Sequence, residues 1–248
     1  MIRIDLHVTP SEVERASLES RQIVVVDVLR TCTSAAVAIR NGAAKIIPVE
    51  TVEEATQLAQ TLDPKSRLLC GEREGRKVSG FDLGNSPREY DRERVVGKTL
   101  VFASTNASPL MAGLLEGRDQ RLLAYVNLSA VAGAVRRDGA DLAIVCAGRN
   151  GRVSLEDFAC AGALVRRLTD SDRALAVNDA AEVARAYDAA HGDAPEGILR
   201  QSEHGRYLIE IGFEGDLPVC GAIDGVPVVP FLRNGRITAE PEGDGAAA

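Results

Sequence analysis

The stretch Ile23–Ala35, IVVVDVLRTCTSA, constrains the fold of this chain more than any other. Four apolar residues run straight into an acid, Asp27. Within the next seven residues come an arginine and three hydroxyls: Arg30, Thr31, Thr33 and Ser34. A helix-like run, AAVAIRNG, then stops at Asn41-Gly42. An unbroken apolar run suits a strand buried on both faces, the kind found in parallel sheets covered by helices. In α/β proteins ligands bind beyond the carboxyl ends of such strands, where helix N-termini offer free N–H groups to anions. The same turn also reads as a solvated loop with Asp27 as a helix cap.

The rest of the chain follows the same plan. Ile2, Ile4, Leu6 and Val8 alternate, as in a half-buried strand. KIIPV, RLLC, TLVFA, RLLAYV and LAIVCA are further short apolar runs. Between them lie helical patterns with start signals. Thr51 and Glu54 form a capping box for a helix ending near Leu62. Asn127 stands ready to cap LSAVAGAVRR, and Ser154 with Asp157 to cap LEDFACAGALVRRL. Alternating strands and helices predict an α/β fold, a three-layer α/β/α arrangement with a largely parallel or mixed central sheet. Strand, polar turn and helix recur in VVVDVLRTCTSA, LVFASTNASPLMAG and AIVCAGRNGRVSLEDF, which fits an internal duplication or the architecture alone. From about Asp193 the pattern changes to a helix, QSEHGRYLIEI, and short Pro-broken strands such as VPVVPFL. A single domain over residues 1–238 is expected, with a disordered tail at 239–248, where apolar content is lacking.

Composition excludes several classes of function. With 248 residues, 45% of them hydrophobic, the chain buries a core without staples. Its net charge is −7, without a basic block, and it has no Trp, four Tyr and five Phe. That argues against nucleic-acid binding. No apolar run reaches the ~18 residues of a membrane span, and the N-terminus is charged and alternating, unlike a signal peptide. Five cysteines without a CxxC pair predict a cytoplasmic protein with reduced thiols. His7, His191 and His204 are not at metal-ligand spacing, which argues against zinc.

Three further segments carry polar groups suited to chemistry. Gly71–Pro87, GEREGRKVSGFDLGNSP, is too long for an ordinary hairpin and holds Glu72, Asp82, Asn85 and Ser86. Long structured loops are often functional. Phe102–Pro109, FASTNASP, places Ser104, Thr105 and Asn106 after a strand, where they can donate to a phosphate or cap the next helix. Val145–Gly162 combines Gly148, which frees the backbone, with Arg149 and Arg152 as anion contacts. It also carries Glu156 and Asp157 in a first helical turn, where acids compensate the helix dipole as well. Cys146 to Arg152 has the C-x5-R spacing of thiolate phosphatases, but Val145 and Val153 replace the His and Ser/Thr usual there. The haloacid-type phosphatase and Walker A signatures both fail.

Taken in order, DVLRTCTS, CGEREGRKVSGFDLGNSP, FASTNASP, CAGRNGRVSLEDFACAG and SEHGRYLIEIGFEGDLPVC resemble the 2-phosphosulfolactate phosphatases, the ComB family. The resemblance runs from about Ile2 to Ile237. It implies a magnesium-dependent phosphoric monoester hydrolase that converts 2-phosphosulfolactate to sulfolactate and phosphate, a step of coenzyme M biosynthesis. It also implies a small anionic substrate as the partner, with a homodimer left open. On this reading Asp27, Glu156 and Asp157 are candidates for metal ligands and base, since magnesium uses one or two carboxylates with phosphoryl oxygens. Arg30, as a catalytic residue, with Thr31, Thr33, Ser104, Thr105 and Asn106 would hold the phosphoryl oxygens, and Arg149 the distal acid. Ser34, Asn85, Ser86 and Gly148 are expected to bind the substrate as well. The alternatives are a thiolate enzyme built on Cys146 and Arg152, and a non-catalytic binder of small phosphorylated or sulfonated acids.

Overall fold

The computed structural model describes residues 2–14, 18–170 and 175–240. Its eleven strands are β1 (Ile2–His7), β2 (Gln22–Val26), β3 (Lys45–Pro48), β4 (Arg67–Arg73), β5 (Arg76–Lys77), β6 (Thr99–Ala103), β7 (Gln120–Leu123), β8 (Leu142–Cys146), β9 (Leu175–Val177), β10 (Pro230–Arg233) and β11 (Arg236–Ala239). The helices are α1 (Thr31–Arg40), α2 (Val52–Gln60), α3 (Arg92–Val95), α4 (Ala107–Pro109), α5 (Leu128–Asp138), α6 (Leu155–Thr169), α7 (Asp179–His191), α8 (Pro195–Gln201), α9 (Glu203–Glu210) and α10 (Leu217–Cys220).

The strands form one sheet in the order β5-β4-β6-β3-β11-β10-β7-β2-β8-β1-β9. β4, β6 and β3 pair in parallel, as do β7, β2, β8, β1 and β9. The hairpin β10–β11 joins these two parallel halves, and each of its outer contacts is antiparallel. The sheet is therefore mixed, and the two halves run in opposite directions.

Burial on both faces explains the unbroken apolar runs. In β2, Ile23 and Val25 belong to one core cluster while Val24 and Val26 belong to the other. β8 repeats this, with Ala143 and Val145 on one side and Leu142, Ile144 and Cys146 on the other. Helix α1 covers the first face, through Ala35, Ala36 and Ile39. Helices α5, α6 and α7 cover the second, through Val131, Leu164 and Ala184. This is the expected three-layer α/β/α arrangement.

Several local expectations need correction. Thr51 accepts from the Glu54 N–H (3.0 Å), but the Glu54 carboxylate reaches back to Glu50 instead of Thr51. Asn127 does not cap α5. Its side chain accepts from Ala124 N–H and donates to Leu122 and Val228 carbonyls, tying β7 to the approach to β10. QSEHGRYLIEI is not one helix: Ser202 breaks it and caps α9 through Gly205 N–H (2.9 Å). At the expected tail, Ala239 still pairs in β11 and Glu240 binds Arg121, and 241–248 lie outside the described residues.

Among the described residues no helix is long and apolar enough to cross a membrane. All five cysteines are free and buried.

Candidate active site

A cleft of ≈ 240 Å³ opens where turns from both halves of the sheet meet. Asp27 and Thr31 come from the β2–α1 turn, Glu72, Gly75 and Asn85 from β4 and the loop after it, Thr105 and Asn106 from the turn after β6, and Arg149 from the turn after β8. His204 and Tyr207 of α9 close the remaining side. Hydrogen bonds cross between halves. Asn150 N–H donates to Asn106 Oδ1 (3.0 Å), and Ser34 Oγ donates to the Asn85 carbonyl (2.8 Å). Within each half a glycine allows a tight contact beside the cleft. Gly71 (φ +147°) sits so near the Ala103 carbonyl that a Cβ would lie 2.0 Å from its oxygen. Gly148 (φ +66°) leaves 2.4 Å between a Cβ and the Arg152 carbonyl oxygen.

Asp27 is the carboxylate at the floor of this cleft. Its Oδ1 accepts from Thr31 N–H (3.0 Å), so it caps α1 as well. Burial pushes its carboxyl up to about 6. The Thr31 N–H and hydroxyl and the nearby His204 pull the other way, and Glu72 adds to the rise. Glu72 also borders the cleft, with its oxygens accepting from Thr105 N–H (2.8 Å) and Gly75 N–H (2.8 Å).

Glu156 and Asp157 stand side by side in α6 but do different work. Asp157 is 3% exposed. It accepts from Val28 N–H (2.9 Å) through Oδ1 and from Gly148 N–H (3.2 Å) through Oδ2, lacing the turns after β2 and β8 to α6. Burial, with the charges of Asp27 and Glu156, pushes its carboxyl well up. Its own N–H donates to Ser154 Oγ (3.3 Å), the expected cap. Glu156 faces His204, with Oε1 3.5 Å from Nδ1. Burial raises its carboxyl, but the His204 bond and charge outweigh that, helped by its own N–H and Ser202, and hold it below the usual range. With Nδ1 turned to Glu156, His204 has Nε2 left for the cleft.

The three acids expected as one metal set therefore do not converge. Neither Asp157, which laces the turns together, nor Glu156, which faces His204, lines the cleft. Among the described residues no three or more His, Cys, Asp and Glu side chains are grouped to hold a metal. The acids that border the cleft are Asp27, Glu72 and Glu74, and of these Asp27 and Glu72 are close enough for their charges to interact. One or two carboxylates are what magnesium takes alongside phosphoryl oxygens and water, so this smaller donor set fits the ion.

The remaining expected contacts divide in two. Thr31, Asn85, Thr105, Asn106 and Arg149 line the cleft. Asn85 donates to Thr31 Oγ1 (3.3 Å), while its Oδ1 is buried without a partner. Thr33, Ser34, Ser86 and Ser104 are turned inward: Thr33 Oγ1 donates to the Val28 carbonyl (2.8 Å), Ser86 Oγ to Asp216 (2.6 Å), and Ser104 bonds Ser108 (2.9 Å). These four fix the shape of the turns, and none of them lines the cleft.

Arg30 follows a cis Leu29–Arg30 peptide and reaches the cleft wall, but its fork is committed. Nη1 meets Asp216 at 2.8 Å, both side chains 1% exposed. Nη2 donates to the Gly75 carbonyl (2.6 Å), and the guanidinium lies 4.4 Å from the Phe213 ring centre. It braces the loop after β4 against the segment before α10. Arg149 is different. It stacks 4.9 Å over Tyr207 and pairs at 3.0 Å with Glu203, a residue whose side chain is 77% exposed.

The thiolate alternative fails on burial. Cys146 ends β8 in the core, 0% exposed, and burial pushes its thiol well above the ordinary range. Sequence reasoning noted Glu72 only as one polar group of a long loop, and it missed Tyr207, Asp216 and above all His204. The His204 signal lay in SEH at the start of a helix.

Comparison with known proteins gives the family. The family model described as 2-phosphosulpholactate phosphatase matches residues 7–235. A protein of Thermotoga petrophila named "probable 2-phosphosulfolactate phosphatase" is 41% identical over 220 residues, covering 88% of this chain and 92% of its own. Proteins with the same name are 34% identical over 232 residues in Caldanaerobacter subterraneus subsp. tengcongensis (92% and 95%) and 33% over 236 in Clostridium acetobutylicum (95% and 100%). With an α/β/α fold, a polar cleft at its strand ends and a match over nearly its whole length, the chain belongs to the 2-phosphosulfolactate phosphatase family.

Proposed function

We propose that the chain hydrolyses 2-phosphosulfolactate to sulfolactate and phosphate in the cleft between Asp27 and His204, with magnesium as cofactor. The observation that carries this reading is a buried carboxylate with a raised proton affinity facing a carboxylate-oriented histidine across a donor-lined cleft.

Phosphate monoesters hydrolyse extremely slowly unaided. Water must be aligned with the P–O bond, and the leaving alkoxide must receive a proton. Asp27 accepts the proton of the attacking water. His204 Nε2 gives a proton to the ester oxygen as its bond to phosphorus breaks, with the ring fixed through Nδ1 by Glu156. Solvent then resets both groups. Thr31, Asn85 and Asn106 orient the phosphoryl oxygens. Asp27, with Glu72 beside it, would hold the magnesium, which neutralises phosphoryl charge as it develops. Without a cation the two carboxylates would repel a dianionic substrate.

Arg149 meets the distal carboxylate or sulfonate. The competing reading, a non-catalytic binder, uses the same donors but has no need of the Asp27–His204 pair. Chelation separates the two: phosphate release should vanish with EDTA and return with added magnesium. Full turnover in EDTA would remove the metal from the mechanism.

A further inference from the structure

The cleft contains two arginines, and their charges are balanced in different ways. Arg30 is neutralised by Asp216 in a pair sealed from water, with a carbonyl on its other terminal nitrogen and an aromatic ring against its face, while its Nε is buried without a partner. Removing one partner of such a pair leaves a charge buried alone, so Arg30 cannot exchange its partner for a ligand. Arg149 is held flat by Tyr207, whose hydroxyl donates to the Glu74 carbonyl (3.0 Å). Its one charged partner among the described residues, Glu203, stands at the first position of α9 with 77% of its side chain in solvent. Exposed pairs of this kind are weak and easily opened.

Arg149 is also where the cleft continues. A second hollow of ≈ 410 Å³ shares Arg149, Asn150 and His204 with the first, and Glu203 stands on its wall. A substrate whose phosphoryl group lies by Asp27 would extend its distal acid toward this junction.

We propose that Glu203 is a specificity-determining residue: an exchangeable counter-ion that occupies Arg149 until the distal acid of the substrate replaces it. This rests on the proposed function, since it takes the ligand to be a phosphorylated acid. The Glu203 carboxylate keeps the guanidinium fork in place over Tyr207 in the free protein. A carboxylate or sulfonate displaces it, and Glu203 turns to water. A ligand without a distal acid leaves the pair closed. Glu203 thereby competes with one end of the ligand only.

The test is calorimetric binding of two ligands, sulfolactate and inorganic phosphate, to the magnesium-loaded protein. Glu203→Gln keeps the shape and removes the charge. It should tighten sulfolactate roughly threefold, in the range of an exposed ion pair, and tighten phosphate clearly less. In an Arg149→Ala background, Glu203→Gln should tighten sulfolactate no further. The proposal is overturned if Glu203→Gln leaves sulfolactate affinity unchanged, strengthens both ligands alike, or acts equally without Arg149, which would mark a general field effect. Absence of sulfolactate binding to the wild type would overturn it too. Wild-type turnover of 2-phosphosulfolactate, measured alongside, shows separately whether the proposed function stands.

Discussion

At the residue scale the account turns on Asp27. Its carboxyl is lifted from 3.8 to about 6, mainly by burial. As the proposed base it must be ionised, so the rate should fall as pH drops, from about 6 without the cation and from a lower pH once magnesium meets this carboxylate, a limb that a pH profile of kcat reveals. The same shift has a cost in stability. The folded protein binds this proton more tightly than the unfolded chain, so the contribution of Asp27 to stability is complete below about pH 4 and is lost as pH rises through 6. At about 1.4 kcal/mol per tenfold, the loss is about 3 kcal/mol. In metal-free protein Asp27→Asn should therefore melt at a higher temperature than wild type at pH 7, with the gain gone at pH 4. An equal or lower Tm at pH 7 would mean that the site does not strain this carboxylate. The His204 pair gives a second prediction. His204→Ala should lower kcat by about 100-fold or more, the lower end for a group that moves a proton. Glu156→Gln, which leaves the ring present but less well held, should lose roughly tenfold or more with little change in KM. Equal and slight losses in both variants would take proton transfer away from His204.

At the scale of elements, what decides the site is how the turns after β2 and β8 are tied to α6. Asp157 provides that tie by accepting from Val28 and Gly148. Asp157→Ala leaves two buried N–H groups unpaired, at about 1–3 kcal/mol each. Its denaturation midpoint should fall accordingly, while Asp157→Asn, which keeps one acceptor, should fall less. Indistinguishable midpoints for the two variants would contradict this role. The elements themselves were legible in the sequence, because a strand buried on both faces must be apolar throughout, as Ile23–Val26 and Leu142–Cys146 are. Asp27 was legible as the first polar residue after such a strand. The functions of Glu156 and Asp157 were not. Both stand in one helical turn, and only the packing of α6 against β2 and β8 sends one to backbone amides and the other to His204. The commitment of Arg30 to Asp216 was equally hidden, since it depends on a contact between distant segments. Ser202 looked like part of a helix, yet as a cap it starts α9 and so sets where His204 and Glu203 stand.

For the whole molecule, the cleft is a product of the mixed sheet. Asp27 and Arg149 follow strands of one parallel half, and Glu72 and Thr105 belong to the other. The hairpin β10–β11 joins the halves. α9 then adds His204, whose partner Glu156 lies on α6. The proposed base, proton donor and phosphoryl contacts thus come from separate parts of one sheet and a late helix, which is why no single motif reveals them together. The measurement that tests this most directly is 31P NMR of 2-phosphosulfolactate incubated with the magnesium-loaded wild type and with a well-folded Asp27→Asn protein. The account predicts conversion of the ester signal to inorganic phosphate by the wild type, and at least ~100-fold slower conversion by the variant. An ester signal that persists with the wild type, or wild-type turnover by Asp27→Asn, would contradict it.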